Sequence, residues 1–221
     1  MKLFHPIVAG AHLPDRLVAC VGSLACVALT VLLCSALGIV PVELPIIVAP
    51  IGASAVLVFA VPASPLAQPW PVIGGNIVSA LVGVAVVRYG PSGAAAAGLA
   101  VGGAILIMSL LRCLHPPGGA AALTVVIGGN AVHAAGWSFA FVPVGLNSLA
   151  LVALGILFHR ATRHSYPHRP ARIAMSDPTG LHLADIDAAL EEMHESFDIS
   201  RADLDALLTR AEVHALARRS R

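Results

Sequence analysis

An apolar stretch of membrane length, residues 94–111, runs directly into Arg112-Cys113-Leu114-His115-Pro116-Pro117-Gly118-Gly119. No helix passes smoothly through that run, because proline lacks the amide hydrogen and its ring clashes with the preceding turn. The backbone must break there and leave polar groups that need partners. At membrane depth such breaks are tolerated where they are buried in protein or line a cavity. A translocation site is therefore the leading reading. A second break, Pro50-Ile51-Gly52-Ala53-Ser54-Ala55, lies upstream.

The rest of the chain fits that setting. Of 221 residues, 57% are hydrophobic and 11% charged, and the mean hydropathy is +0.86. This is membrane composition rather than that of a soluble core. The charge is segregated. Residues 1–175 hold eight Lys or Arg and two acids, Asp15 and Glu43, whereas residues 176–221 hold ten acids and five arginines. We expect a transmembrane domain over residues 1–172 and a cytoplasmic acidic helical tail over 173–221.

Bilayer crossing takes about 20 apolar residues. Spans are expected at about 17–40, 71–88, 94–112 and 141–160, with broken or re-entrant segments at about 44–62 and 115–130. The first stretch is longer than a signal-peptide core and reads as a spanning helix led by Arg16. An internal repeat supports the division. Each half reads as a long helix, a Pro-Gly break and a second long helix carrying an early Asn, Asn76 or Asn147, and ending at Arg88 or Arg160. A rival register pairs Val72-Ile73-Gly74-Gly75-Asn76 with Val126-Ile127-Gly128-Gly129-Asn130. The fold class is all-α, a polytopic membrane helix bundle of two related halves with a short C-terminal helical hairpin.

Lys/Arg placement sets orientation. Arg160, Arg163, Arg169 and Arg172 put the C-terminal side in the cytoplasm, and Lys2 and Arg16 put the N-terminal side there too. The crossings are then even in number, four or six. With four, both Pro-Gly segments dip in and return and Arg88 joins Arg160 on one side; with six, Arg88 faces outward. Charge placement favours four.

In the tail, Ile186, Leu190, Met193 and Phe197 share one helical face. Ser200-Arg201-Ala202-Asp203 opens a second helix with a start signature close to the capping box, followed by an apolar stripe of Leu204, Leu207, Leu208, Ala211 and Ala215. Two such short helices have too little core to stand alone and must dock on something.

His115 is the leading site residue, since ionisable groups at membrane depth are costly and functional by default. The rival role is a structural histidine that caps carbonyls freed by Pro116 and Pro117. Arg112 attracts an anion or snorkels to headgroups. Gly118 and Gly119 open a helix whose amides suit an anion; Gly52, Ala53 and Ser54, after Pro50, offer the same in the other half. Close packing by small residues is the competing explanation. Asn76 and Asn147 read equally as substrate contacts or interhelical bonds, and Gln68 as a turn-shaping residue. His133, His159, His164 and His168 look interfacial. Cys20, Cys26, Cys34 and Cys113 have no zinc spacing and read as packing thiols. No metal or cofactor is expected. No catalytic constellation or Walker-type glycine loop is present, so the chain is not read as an enzyme or an ATP-driven pump.

The run Leu111-Arg112-Cys113-Leu114-His115-Pro116-Pro117-Gly118-Gly119-Ala120 resembles the HPP family of integral membrane proteins, named for the His-Pro-Pro triplet. Pro50 to Leu57, and Ser64-Pro65-Leu66-Ala67-Gln68-Pro69 through Gly74-Gly75-Asn76, resemble it as well, so three ordered motifs cover about residues 14–160. The resemblance implies a bacterial or plastid membrane protein with four spanning helices and a role in nitrite transport. Some relatives continue into paired nucleotide-binding CBS domains. The tail resembles the linker before them, and since the sequence stops at Arg221 no regulation by such domains in cis is expected.

The expected function is a transporter or channel for a small inorganic anion, nitrite by resemblance, in an inner membrane and as a homo-oligomer. Its partners are the bilayer and the anion, with a cytoplasmic protein for the tail as an option and no nucleic acid. The alternative is a non-transporting scaffold or sensor that acts through the C-terminal hairpin.

Overall fold

The computed structural model describes residues 12–162, 165–169, 183–193 and 198–219. Lys2, Arg163, His164, Arg172 and Phe197, used above, lie outside them. The described residues form an all-α bundle without strands. Its helices are α1 (Leu13–Leu37), α2 (Pro50–Ala60), α3 (Pro69–Tyr89), α4 (Gly93–Leu110), α5 (Pro116–Ile127), α6 (Asn130–Ala135), α7 (Leu146–Ala161), α8 (Leu183–Met193) and α9 (Arg201–Arg219). Four stretches are long and apolar enough to cross a membrane: α1, α3, α4 and the 32 residues Asn130–Ala161. The last is not straight, since Val142, before Pro143, has non-helical dihedrals.

The break sequences act as helix starts. Pro50 and Pro116 each occupy the first turn of their helix, where a missing amide hydrogen costs nothing. At 11 and 12 residues, α2 and α5 are only about 16–18 Å long, against a hydrocarbon core of about 30 Å.

Side-chain contacts fix the direction of each pass. Arg16, at the start of α1, donates to the Ala60 carbonyl at the end of α2 (2.9 Å). The Asn147 amide, at the start of α7, reaches Cys34 near the end of α1 (3.3 Å). His159, near the end of α7, donates to the Val58 carbonyl (2.9 Å). Residues 38–60 therefore return from the far end of α1 to its near end. Helix α3 starts at that near end, where Tyr166 donates to the Ala67 carbonyl (3.0 Å). Helix α4 ends there, the Trp70 indole donating to the Leu111 carbonyl (3.2 Å). Helix α5 then runs alongside α3 in the same direction, with Gly75 against His115 and Gly83 against Ala122. At the far end Arg88 stacks over Trp137 (5.9 Å), and α7 brings the chain back.

Successive segments thus alternate in direction, and the two halves are inverted relative to each other. Arg88 and Arg160 sit at opposite ends of the bundle, whereas the four-crossing route placed them on one side, and four stretches are long enough to cross. The near end still carries Arg16, Arg112, Arg160 and Arg169. The halves interlock: α1 packs on α7 and α4 on α3, while α2 and α5 each lie between the first helix of their own half and the last helix of the other.

A non-helical stretch inside a bundle needs internal partners for its backbone. Asn147 supplies them. Its carbonyl accepts from the Val48 amide (3.0 Å), and its amide donates to the Ile46 carbonyl (2.9 Å). Of the two roles left open for Asn147, the hydrogen bonds make it the pin of the first broken pass.

The tail helices sit on the near end. Ser64 donates to Asp198 (2.7 Å), and His168 pairs with Asp203 (2.9 Å). Ser200 caps α9 by accepting from the Asp203 amide (3.1 Å), and Arg201 pairs with Asp187 across the hairpin. The apolar stripe is only partly covered: Ile186 is buried, whereas Met193 and Leu207 are exposed.

Candidate functional site

The two broken passes meet through His115 and Ser54. His115 is the residue before α5, in extended conformation, and its ring is fully buried. Its Nδ1 lies 2.8 Å from the Leu66 carbonyl, which only accepts, so Nδ1 carries a hydrogen. Its Nε2 lies 2.8 Å from Ser54 Oγ, one turn into α2. Ser54 Oγ is also 3.1 Å from the Pro50 carbonyl and accepts from Asn76 Nδ2 of α3 (3.2 Å). The second hydrogen of the Asn76 amide goes to Ser148 of α7 (3.1 Å). Five polar groups from four helices and one loop thus form a buried string across the bundle. Asn76 Oδ1 and Ser79 Oγ, one turn apart on α3, are buried without a hydrogen-bond partner.

Two glycines allow this approach. A Cβ on Gly75 would lie 2.7 Å from both the Cys113 carbonyl oxygen and His115 Cβ. One on Gly118 would lie 2.6 Å from Ser79 Oγ and 3.0 Å from the Gly75 carbonyl oxygen. Only bare backbone lets α3 pass the break at this distance.

Arg112 stands apart from the string. Helix α4 closes with the Cys113 amide donating to the Met108 carbonyl (2.9 Å) and the Arg112 amide to that of Ser109 (3.2 Å). That is a Schellman cap, which places its αL residue where glycine is usual. Here the residue is Arg112, at φ 53°. Its side chain lines an open near-end cavity of about 320 Å³ with Pro65, Leu66, Pro71, Ser109 and Leu114. Leu66 joins the two places, since its carbonyl holds His115.

Of the residues singled out from sequence, His115, Ser54 and Asn76 come together. Gly52 and Ala53 are exposed on α2, and Gly119 is half-buried. The Gly118 amide donates to the His115 carbonyl (2.8 Å), which closes the first turn of α5. Pro50 contributes its carbonyl to Ser54. Pro117 is buried and Pro116 exposed. Sequence reasoning missed Ser148, Ser79 and the Leu66 carbonyl. The polar pair Asn147-Ser148 inside an apolar helix was the available signal for Ser148; a backbone carbonyl leaves none.

His159, in the last turn of α7, is buried and stacks on Phe59 (5.7 Å). Gln68 shapes its turn as expected, donating to the Pro62 and Ser64 carbonyls (3.0 and 2.8 Å). Burial pushes the neighbouring Tyr166 hydroxyl up from its ordinary range. At Asp203 burial acts to raise the carboxyl, but hydrogen bonds from Ser200 and His168 and the His168 charge outweigh it and hold the group below its ordinary value. Among the described residues no group of three or more His, Cys, Asp or Glu could hold a metal.

A family model for the HPP transmembrane region matches residues 9–167. The chain is also similar to two transmembrane proteins of Dictyostelium discoideum. One is 38% identical over 130 residues, covering 57% of this chain and 45% of that protein. The other is 38% identical over 120 residues, covering 52% and 38%. The chain thus spans less than half the length of these relatives. No solved structure matches it. With three ordered motifs, two broken passes that meet at the His-Pro-Pro histidine, and a match over most of the sequence, the chain belongs to the HPP transmembrane family.

Proposed function

We propose that this chain carries a small anion across the membrane, with nitrite as the substrate to test first. The observation that carries the reading is the Ser54–His115 contact. Both helix breaks deliver a polar side chain to one buried point, in a core where unpaired polar groups are expensive. A purely structural cap would need only the Leu66–His115 bond. The near-end cavity is the vestibule, with Arg112 as its cation, and the Leu66 segment separates it from the polar string. On this reading the near end is cytoplasmic, because it carries most of the arginines. The membrane is a bacterial inner or plastid membrane, and two or more copies assemble.

The test is flux into proteoliposomes of the full chain, with nitrite set against nitrate, chloride and formate. Saturable nitrite uptake that His115→Ala abolishes in equally folded protein is the expected result. Normal uptake by His115→Ala and Ser54→Ala variants would sink the site. A second observation favours a regulatory part for the tail, namely its docking on the Ser64–Gln68 loop that holds His115 through Leu66. Removing residues 176–221 should leave much of the flux in place if the chain transports, and cost the chain its partner if it is a scaffold.

A further inference from the structure

The hydrogen-bond inventory around Ser54 is complete in only one protonation state. A hydroxyl donates once and accepts twice, and Ser54 Oγ has three polar neighbours: His115 Nε2 (2.8 Å), the Pro50 carbonyl (3.1 Å) and Asn76 Nδ2 (3.2 Å). Asn76 must donate. With Nε2 bare, the hydroxyl hydrogen goes to Nε2 and the Pro50 contact is left unmade. With Nε2 protonated, Nε2–H donates to Ser54, the hydroxyl hydrogen turns to the Pro50 carbonyl, and all three contacts are hydrogen bonds at once. His115 Nδ1 already holds a hydrogen for Leu66. The fully bonded state is therefore the imidazolium, reached by rotating one hydroxyl with no movement of the ring.

An imidazolium buried here needs a counter-ion. Around it, α2 brings Ser54, α3 brings Gly75 and Asn76, α7 brings Ser148 and the near-end loop brings Leu66; none of these titrates. The turn out of α4 adds the buried Cys113 thiol and one cation, Arg112, whose side chain lines the cavity beyond Leu66. The ring's hydrogen-bond partners are Ser54 and the Leu66 carbonyl, and the acid docked on the same loop, Asp198, is engaged by Ser64 rather than by the ring. We infer that His115 and Ser54 form a joint proton-and-anion site, so that the transported anion moves together with one proton. The inference rests on the anion-transport reading above and adds its coupling. Only an N–H bond at Nε2 is made on loading and broken on release, and the Ser54 hydrogen swings between Nε2 and the Pro50 carbonyl. The anion supplies the charge that the core lacks.

The test uses proteoliposomes of the full chain with a pH-reporting dye inside, set against protein-free vesicles that report diffusion of undissociated nitrous acid. Coupling predicts that one proton enters with each nitrite. An outside medium more acid by one pH unit should raise protein-dependent accumulation about tenfold. Ser54→Ala should reduce coupled uptake by about tenfold or more, and Ser54→Thr, which keeps the hydroxyl, should restore part of it. Nitrite uptake without dye response, indifferent to the pH gradient, overturns the coupling and leaves the anion reading standing. Absence of flux for every anion overturns both. The wild-type dye measurement decides the coupling even where the Ser54 variants fail to fold.

Discussion

One close backbone approach, at the break that carries His115, can be tested with one methyl group. Gly75→Ala would place a Cβ 2.7 Å from the Cys113 carbonyl oxygen and 2.7 Å from His115 Cβ, where ordinary contact begins at 3.4 Å. The break must then move off α3 by about 0.7 Å, and neither obstacle is a flexible side-chain end. Overpacking of this kind costs about 1–3 kcal/mol, while alanine in place of a helical glycine returns about 1 kcal/mol. Gly102 on α4 is the internal control, because a Cβ there meets nothing within 4 Å and only the propensity gain applies. The two variants should therefore differ by about 1–3 kcal/mol, with Gly102→Ala the more stable. Thermal unfolding of both in the same detergent reads the difference. The displacement also pulls His115 from Ser54 and Leu66, so nitrite uptake should fall in Gly75→Ala and hold in Gly102→Ala. A Gly75→Ala protein as stable and as active as Gly102→Ala would refute the packing argument and the site built on it.

Other perturbations read other parts. Asn147→Ala strips the Val48 amide and the Ile46 carbonyl of their partners; at about 1–3 kcal/mol for each unsatisfied buried group, it should destabilise by roughly 2–6 kcal/mol, seen as a lower unfolding temperature. Arg112→Gly relieves an αL strain of about 1–2 kcal/mol yet removes the vestibule cation. Stability should rise while uptake at low nitrite falls, and two changes of the same sign would contradict the roles assigned. Asp203 has its carboxyl held below the ordinary value when folded, so its contribution is present above the unfolded pKa of about 3.9 and is lost as pH falls through the lower folded value. Limited proteolysis should show the tail released in that acid range in wild type. Asp203→Asn should show a tail already loosened at neutral pH, and identical profiles would remove the His168–Asp203 link from the docking.

What the sequence made legible followed from physics local in the chain. Proline has one geometry wherever it occurs, so Pro50 and Pro116 marked helix starts, and apolar runs marked the long helices. His115 and Ser54 stood out because a polar residue beside a break in an apolar core needs a reason. The path of the chain was not legible, because it depends on where residues 38–60 return, and that is set by Asn147 reaching back about a hundred residues to Ile46 and Val48. The end at which Arg88 sits was not legible because its partner Trp137 is remote in sequence. The Leu66 carbonyl could not be found from side-chain identity, since every residue carries the same group.

The interlocked packing of the halves also governs how the protein is made. Cys26 on α1 meets the Leu154 carbonyl on α7 across a separation of 128 residues. At a synthesis rate of about 5–20 residues per second, the first helix stands in the bilayer for roughly 6–26 s before that partner exists. Its exposed leucines, Leu17, Leu24 and Leu32, keep it at home among lipid tails. Its inward face of Ala19, Gly22 and Cys26 carries little polarity that would need shelter in the meantime. A polar residue introduced on that face would face lipid throughout the interval, so its harm would appear first in biogenesis, as degraded nascent chain, before any loss of activity in the finished protein.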